Sequence, residues 1–180
     1  MPSQLLDFLA SLPIALSLAG AEDDHPLLFV NERFSELTGH SSEEVVGRNC
    51  RFLQRGVTDG QAHAKFRTFL TGQADLAVRA PIVNFRKNGT PFINLLYLTR
   101  LHGPEGETRY FLGSQFDVSR VEVDRLKAYD GALSDALARL GPLAVECGMA
   151  VDSALSAIGD AGSLMAQAQL TLAGAEWARK

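Results

Sequence analysis

Hydrophobic and polar positions change period several times along the chain, and each change marks an element. Ile14, Leu16 and Leu18 alternate with Ala15 and Ser17, the period-two pattern of a strand with one buried face. A polar turn over residues 20–26 separates it from a second short apolar run at 27–30. Asn31 then opens a short helix to about Leu37, and Gly39 stops it. Ser41 or Ser42 caps a further helical turn, with Glu43 and Glu44 near its positive end. Ala62, Phe66, Phe69 and Leu70 are spaced as one face of a helix over residues 60–70, ended by Gly72. Three strands follow at 76–86, 91–101 and 108–118. The first two meet at Asn88-Gly89, a strong hairpin signal, and the turn at 103–107 leads to the third. Two strands, short helices and three antiparallel strands predict an α+β fold, a five-stranded antiparallel sheet with helices on one face.

The pattern changes after residue 119. Leu126, Tyr129, Leu133, Ala136 and Leu140 recur at helical spacing, and Gly141-Pro142 is expected to break that helix. A second series, Val151, Ala154, Ile158, Ala161, Met165, Ala168, Leu172 and Ala175, predicts another helix with close backbone approach. The division expected is an N-terminal helical cap at 1–12, a core at 13–119 and a C-terminal helical hairpin at 120–180. The apolar stripes of the tail need a covering surface, which their own sheet or a second copy of the chain would supply.

Composition narrows the function. The chain has 180 residues, 46% hydrophobic and 21% charged, with a net charge of −4, a globular composition that is poorly suited to binding nucleic acid or an anionic membrane by bulk charge. Two cysteines, Cys50 and Cys147, exclude a disulfide framework and a four-cysteine zinc site, and no metal is expected. The apolar stretch at 5–20 contains Asp7 and Pro13, and the first basic side chain is Arg33. Neither a membrane span nor a signal peptide is expected, and the chain is expected to be cytoplasmic.

The segment that carries chemistry is Gly47-Arg48-Asn49-Cys50-Arg51-Phe52-Leu53-Gln54. It sets a thiol between two arginines that would lower its pKa by charge, a setting for a reactive cysteine. No histidine lies beside it to act as a base, which weighs against a thiol enzyme. The amides and arginines suit a ligand with hydrogen-bonding edges and an anionic tail. A buried structural cysteine is the plainer reading.

The octet GRNCRFLQ is similar to the signature of light-oxygen-voltage (LOV) domains, a flavin-binding branch of the PAS fold. The resemblance extends over residues 13–119. It includes Arg67 at the family's spacing from Gln54, Asn84 and Asn94 flanking the hairpin turn, and Gln115 in Gly113-Ser114-Gln115. It implies a blue-light photoreceptor that holds flavin mononucleotide (FMN) and forms a reversible cysteinyl-flavin adduct at Cys50. Arg51 and Arg67 would then clamp the phosphate, and Asn49 and Gln54 would bind the ribityl chain or ring edge. Asn84 and Asn94 would pair with the pyrimidine side, and Gln115 would sense the ring nitrogen that gains a proton. Leu16, Leu18, Leu27, Leu96, Leu98 and Phe111 are expected to enclose the apolar end, Leu96 and Phe111 foremost. Three features depart from the family: a loop about two residues longer between Arg67 and Asn84, His25 where asparagine is common, and Leu96 where phenylalanine is common. His25 is either an exposed turn residue or a participant in proton return.

Residues 120–180 hold no histidine, so a histidine kinase is not expected there. With six basic residues against eight acids, neither is a DNA-reading helix. The chain resembles short LOV proteins, which turn over no substrate. Light is expected to act through Gln115 and the last strand on the N- and C-terminal helices, altering a homodimer or the docking of an unidentified downstream protein. The alternative is a constitutive flavin-binding PAS module with an interaction or redox role.

Overall fold

The computed structural model describes residues 2–57, 60–72, 75–152, 166, 169 and 170. Helix α1 (Ser3–Ser11) precedes strands β1 (Ala15–Gly20) and β2 (Leu27–Val30). Helices α2 (Glu32–Thr38) and α3 (Ser42–Val45), a 3-10 turn (Cys50–Gln54) and α4 (Gly60–Thr71) follow. Strands β3 (Ala77–Phe85), β4 (Pro91–His102) and β5 (Thr108–Asp117) then lead into the long helix α5 (Val123–Glu146) and a two-residue strand β6 (Ala150–Val151). The five long strands form an antiparallel sheet in the order β2-β1-β5-β4-β3. This order puts β5, last of the five in sequence, at the centre, hydrogen-bonded to both β1 and β4.

The sheet is buried on both faces. On one, Ala15, Leu27 and Val30 pack with Phe34, Val45 and Leu53 from α2, α3 and the 3-10 turn, while Phe66 of α4 packs on Ala80 and Ile82. On the other, Leu5 and Leu9 of α1 and Leu126, Tyr129, Leu133, Leu137 and Leu140 of α5 cover Leu16, Leu18, Leu95, Tyr97 and Leu112. The α5 stripe read from the sequence is thus covered by the chain's own sheet.

Two expectations about the tail are corrected. Gly141-Pro142 does not break α5, which runs on to Glu146. Proline forfeits one backbone hydrogen bond, but its fixed φ is helical, so a helix with a well-buried face can absorb it near its end. Gly148, at φ 70°, is where the chain turns away. Val151 belongs to β6, pairing with Leu101 of β4, and not to a second helix. The remaining members of the second apolar series lie outside the described residues.

Asn31 ties the N-terminal elements together. Its Oδ1 accepts from the backbone N–H of Phe34 at 3.1 Å, capping α2, and from that of Leu16 at 2.9 Å. Its Nδ2 donates to the carbonyls of Ile14 at 2.8 Å and Leu9 at 3.3 Å. The residue is 3% exposed, so water cannot replace these bonds. On the far side, the buried Arg100 of β4 closes the end of α4. Its guanidinium donates to the carbonyls of Phe69, Gly72 and Asp75 and stacks 3.9 Å from the Phe69 ring. This contact holds the flanks of the loop that the sequence marks as long; residues 73 and 74 of it lie outside the described residues.

Replacing Asn31 by alanine leaves several backbone groups without partners. Urea denaturation is expected to show a loss of about 2–4 kcal/mol at nearly constant slope.

Candidate functional site

A cavity of about 520 Å³ lies between the sheet and the α2–α4 side of the fold. Its volume is within the usual range for sites that enclose an organic ligand. Asn49, Cys50, Arg51, Gln54, Arg67, Asn84, Asn94, Leu96, Phe111 and Gln115 all line it. They come from the 3-10 turn and its cap, α4, β3, β4 and β5, so the fold gathers into one space residues that span 67 positions of sequence.

The thiol stands on the 3-10 turn. Asn49 caps that turn, its Oδ1 accepting from the Arg51 N–H at 2.8 Å. Arg55 and Gly56, at φ 48° and 80°, end it. An isolated bridge between Pro26 and Asn49 and the 2.9 Å bond from the Leu27 N–H to the Arg48 carbonyl dock the turn against β2. Cys50 packs against the apolar cluster of Ala15, Leu27 and Leu53.

The expectation that Arg48 and Arg51 lower the thiol pKa is not met. The Arg48 guanidinium lies 4.5 Å from the Phe52 ring centre and donates to the Glu44 carbonyl at 3.2 Å. Arg51 pairs with the Asp24 carboxylate. Both charges are engaged on the outside of the turn, and burial pushes the Cys50 thiol up to about 12. Cys50 is therefore a neutral, weakly nucleophilic thiol at physiological pH.

The sheet supplies the polar edge. Asn84 and Asn94, 2% and 1% exposed, hydrogen-bond each other, Asn94 Nδ2 donating to Asn84 Oδ1 at 2.9 Å. Asn84 Nδ2 donates to the Val83 carbonyl at 2.8 Å, and the Phe116 N–H donates to Asn94 Oδ1 at 3.3 Å. Gln115 Nε2 donates to Ser17 Oγ at 2.9 Å, while its buried Oε1 has no partner among the described residues. Buried carbonyl oxygens normally find a donor, so this one marks a place where a ligand's N–H belongs.

Arg51, paired with Asp24, and Arg67 stand exposed at the cavity's rim. Leu27, Phe66, Ile82, Leu96, Leu98 and Phe111 supply apolar wall. Together these features suit a flat molecule with a hydrogen-bonding edge, an apolar end and an anionic tail. No cluster of metal-ligating side chains occurs among the described residues.

Leu16 and Leu18 do not line the cavity. They face α1 and α5, and it is Ser17 and Ala19 of β1 that turn toward the site. Alternation identified the two faces of β1 but not which one meets the ligand, because both are buried. Ser17 and Ala19 were missed for that reason, and Gly113, Phe66 and Ile82, on β5, α4 and β3, were missed as well. His25 does line the cavity, its ring edge 5.0 Å from the Phe111 ring and its Nδ1 buried without a partner among the described residues. Phe111 and Gln115 are four residues apart on one face of β5, about 13 Å. That places His25 at the opposite end of the cavity from Gln115.

Comparison with known proteins bears on the family and the fold. A family profile described as "PAS domain" matches residues 15–120. Blue-light-activated histidine kinase 1 of Erythrobacter litoralis is 39% identical over 107 residues, 59% of this chain and 29% of that protein. A blue-light-activated histidine kinase of Rhizobium johnstonii is 40% identical over 113 residues, 63% of this chain and 32% of that one. The chain thus spans less than a third of the length of these curated relatives. Among solved structures, the RsLOV d2 variant is 31% identical with a TM-score of 0.72, covering 99% of this chain and 96% of its own. The Rhodobacter sphaeroides LOV protein is 29% identical with the same TM-score of 0.72, covering 100% and 99%. The chain belongs to the PAS family, in its light-oxygen-voltage branch.

Proposed function

We propose that this chain is a blue-light photoreceptor whose cavity holds flavin mononucleotide and whose photochemical group is Cys50. The observation that carries the reading is the convergence of a neutral thiol, three sheet carboxamides and two rim arginines on one cavity. The unpartnered Gln115 Oε1 and the small residues Ser17, Ala19 and Gly113, which leave space along β1 and β5, fit a planar ring. Asn84, Asn94 and Gln115 hold the ring's polar edge, Leu96, Leu98 and Phe111 its apolar end, and Arg51 and Arg67 the phosphate, with Asn49 and Gln54 along the ribityl chain. Bound flavin supplies blue-light absorption and an excited ring that takes up a thiol sulfur and a proton reversibly. Cys50 brings both, and the raised thiol pKa keeps that proton on sulfur until light arrives.

Gln115 is the residue that reads the change. A carboxamide offers a donor on one side and an acceptor on the other, so whether the ring nitrogen facing it carries a proton decides which side it presents. The route outward is one residue long. Ser114 faces the other side of β5, where its Oγ lies 2.7 Å from the Tyr129 hydroxyl of α5. The Tyr129 ring stacks on Phe116 at 4.3 Å, and next to it Asp130 pairs with Arg79 of β3. The Arg79 side chain is 1% exposed, and its Nε and Nη1 have no partner among the described residues, so Asp130 carries most of its compensation. A strand shift at Gln115 loosens these contacts and changes how α5 sits. A bias of a few kcal/mol redistributes the helices between their own sheet and a homodimer or a downstream partner.

Illumination of the purified yellow chain is expected to bleach its blue absorption reversibly, and Cys50→Ala is expected to keep the colour and lose the bleach. Bleaching that survives in Cys50→Ala, or flavin that is only reduced, would favour the constitutive or redox module. In a Cys147→Ala background, alkylation of Cys50 is expected to rise about tenfold per pH unit from pH 7 to pH 10 without a plateau, because its thiol ionises only near 12. A plateau near pH 8.5 would contradict the raised thiol pKa. Tyr129→Phe and Asp130→Asn are expected to cost about 1 kcal/mol or more and to raise hydrogen exchange across α5 in the dark with the flavin spectrum unchanged. Scattering in dark and light, in wild type and both variants, reports whether assembly follows α5.

A further inference from the structure

We propose that Ser17 is a positioning residue for the Gln115 carboxamide, and that breaking their hydrogen bond is part of the barrier the amide crosses each time it turns over. This inference rests on the photoreceptor reading above and assigns a regulator of the same site.

The geometry is set by the β1–β5 register. Ser17 lies opposite Gly113 in the β1–β5 ladder, and Ala15 lies opposite Gln115. The serine hydroxyl and the carboxamide are therefore diagonal neighbours on the cavity side of two paired strands. Gly113 makes the contact possible. A Cβ there would sit 2.8 Å from Ser17 Oγ and 3.0 Å from Gln115 Nε2, in the space the hydrogen bond occupies. Both partners are buried, Ser17 at 5% exposure and Gln115 at 2%, so water does not compete for either.

A hydroxyl is the one uncharged side-chain group here that serves both orientations of the amide. With Nε2 toward β1, as observed at 2.9 Å, Ser17 Oγ accepts. With Oε1 turned toward β1, the same hydroxyl rotates and donates. Ser17 thus serves either orientation, and in the photoreceptor reading the proton on the bound ring decides between them. Between the two, the Ser17 bond is broken. Its loss raises the barrier in both directions and slows the return to darkness.

The test compares wild type, Ser17→Ala and Ser17→Thr as full chains. Thermal return of the absorbance after a light pulse is expected to be roughly three- to tenfold faster in Ser17→Ala, the factor for one neutral hydrogen bond. Ser17→Thr, which keeps the hydroxyl, is expected to return within about twofold of wild type on the same argument. Side-chain amide resonances of Gln115, assigned by Gln115→Asn, are expected to shift and broaden in Ser17→Ala and to stay sharp in Ser17→Thr. Unchanged return and superimposable Gln115 resonances in Ser17→Ala would overturn the proposal. A wild-type chain that does not bleach would instead overturn the photoreceptor reading. The Gln115 resonances of the flavin-free chain then still decide whether Ser17 positions the amide.

Discussion

Strand β5 is buried on both sides and hydrogen-bonded on both edges, and the site depends on that constraint. Phe111, Gly113 and Gln115 face the cavity, while Leu112 and Ser114 face α1 and α5. The register with β1 on one edge and β4 on the other fixes each of these residues. A central strand cannot slide without breaking two ladders, and it has no solvent face on which to dissipate a displacement. This is the constraint on which the proposed relay from Gln115 to the helix side rests. Of the polar groups on that side, Ser114, Tyr129 and Arg79 are buried among apolar residues and Asp130 is partly buried. Burial holds the Tyr129 hydroxyl protonated, its pKa pushed up to about 12, so it remains a donor throughout the physiological range.

The chemistry of Cys50 follows from where its neighbours point. A thiol between two arginines in sequence reads as an activated nucleophile. In the fold, the arginines turn outward to Asp24 and Phe52, and the sulfur turns inward to apolar side chains. The result is a cysteine that is inert as a thiolate. It suits a reaction triggered by a bound group far better than hydrolysis or disulfide exchange. Asp24 also accepts from Asn49 through its carbonyl, so the acidic turn before β2 braces the same segment it neutralises.

Much of the fold was legible because its signals are local. Asn31 and Gly39 bound a helix, Asn88-Gly89 a hairpin, and the strand limits at β3 to β5 fall within a residue of those expected. Of the ten expected site residues, eight come from the octet and the four distal positions, which resemble a family pattern, and Leu96 and Phe111 from strand phase; all ten line one cavity. Pro142 misled because a proline's cost is local, whereas α5 is held by a buried stripe that extends over most of its length. Ser17 was passed over for the same kind of reason. A serine between two leucines reads as the solvent side of a strand.

From the sequence alone came the order of the elements, the apolar stripe of α5 and the identity of the residues with chemistry to offer. Those properties reside in neighbours along the chain, where periodicity and capping operate. Tertiary structure decided which face of β1 meets the cavity, that both arginines leave the thiol, and that the α5 stripe is spent on its own sheet. Each of these depends on how much room and charge distant segments bring to one place, and the order of residues along a chain does not carry that quantity.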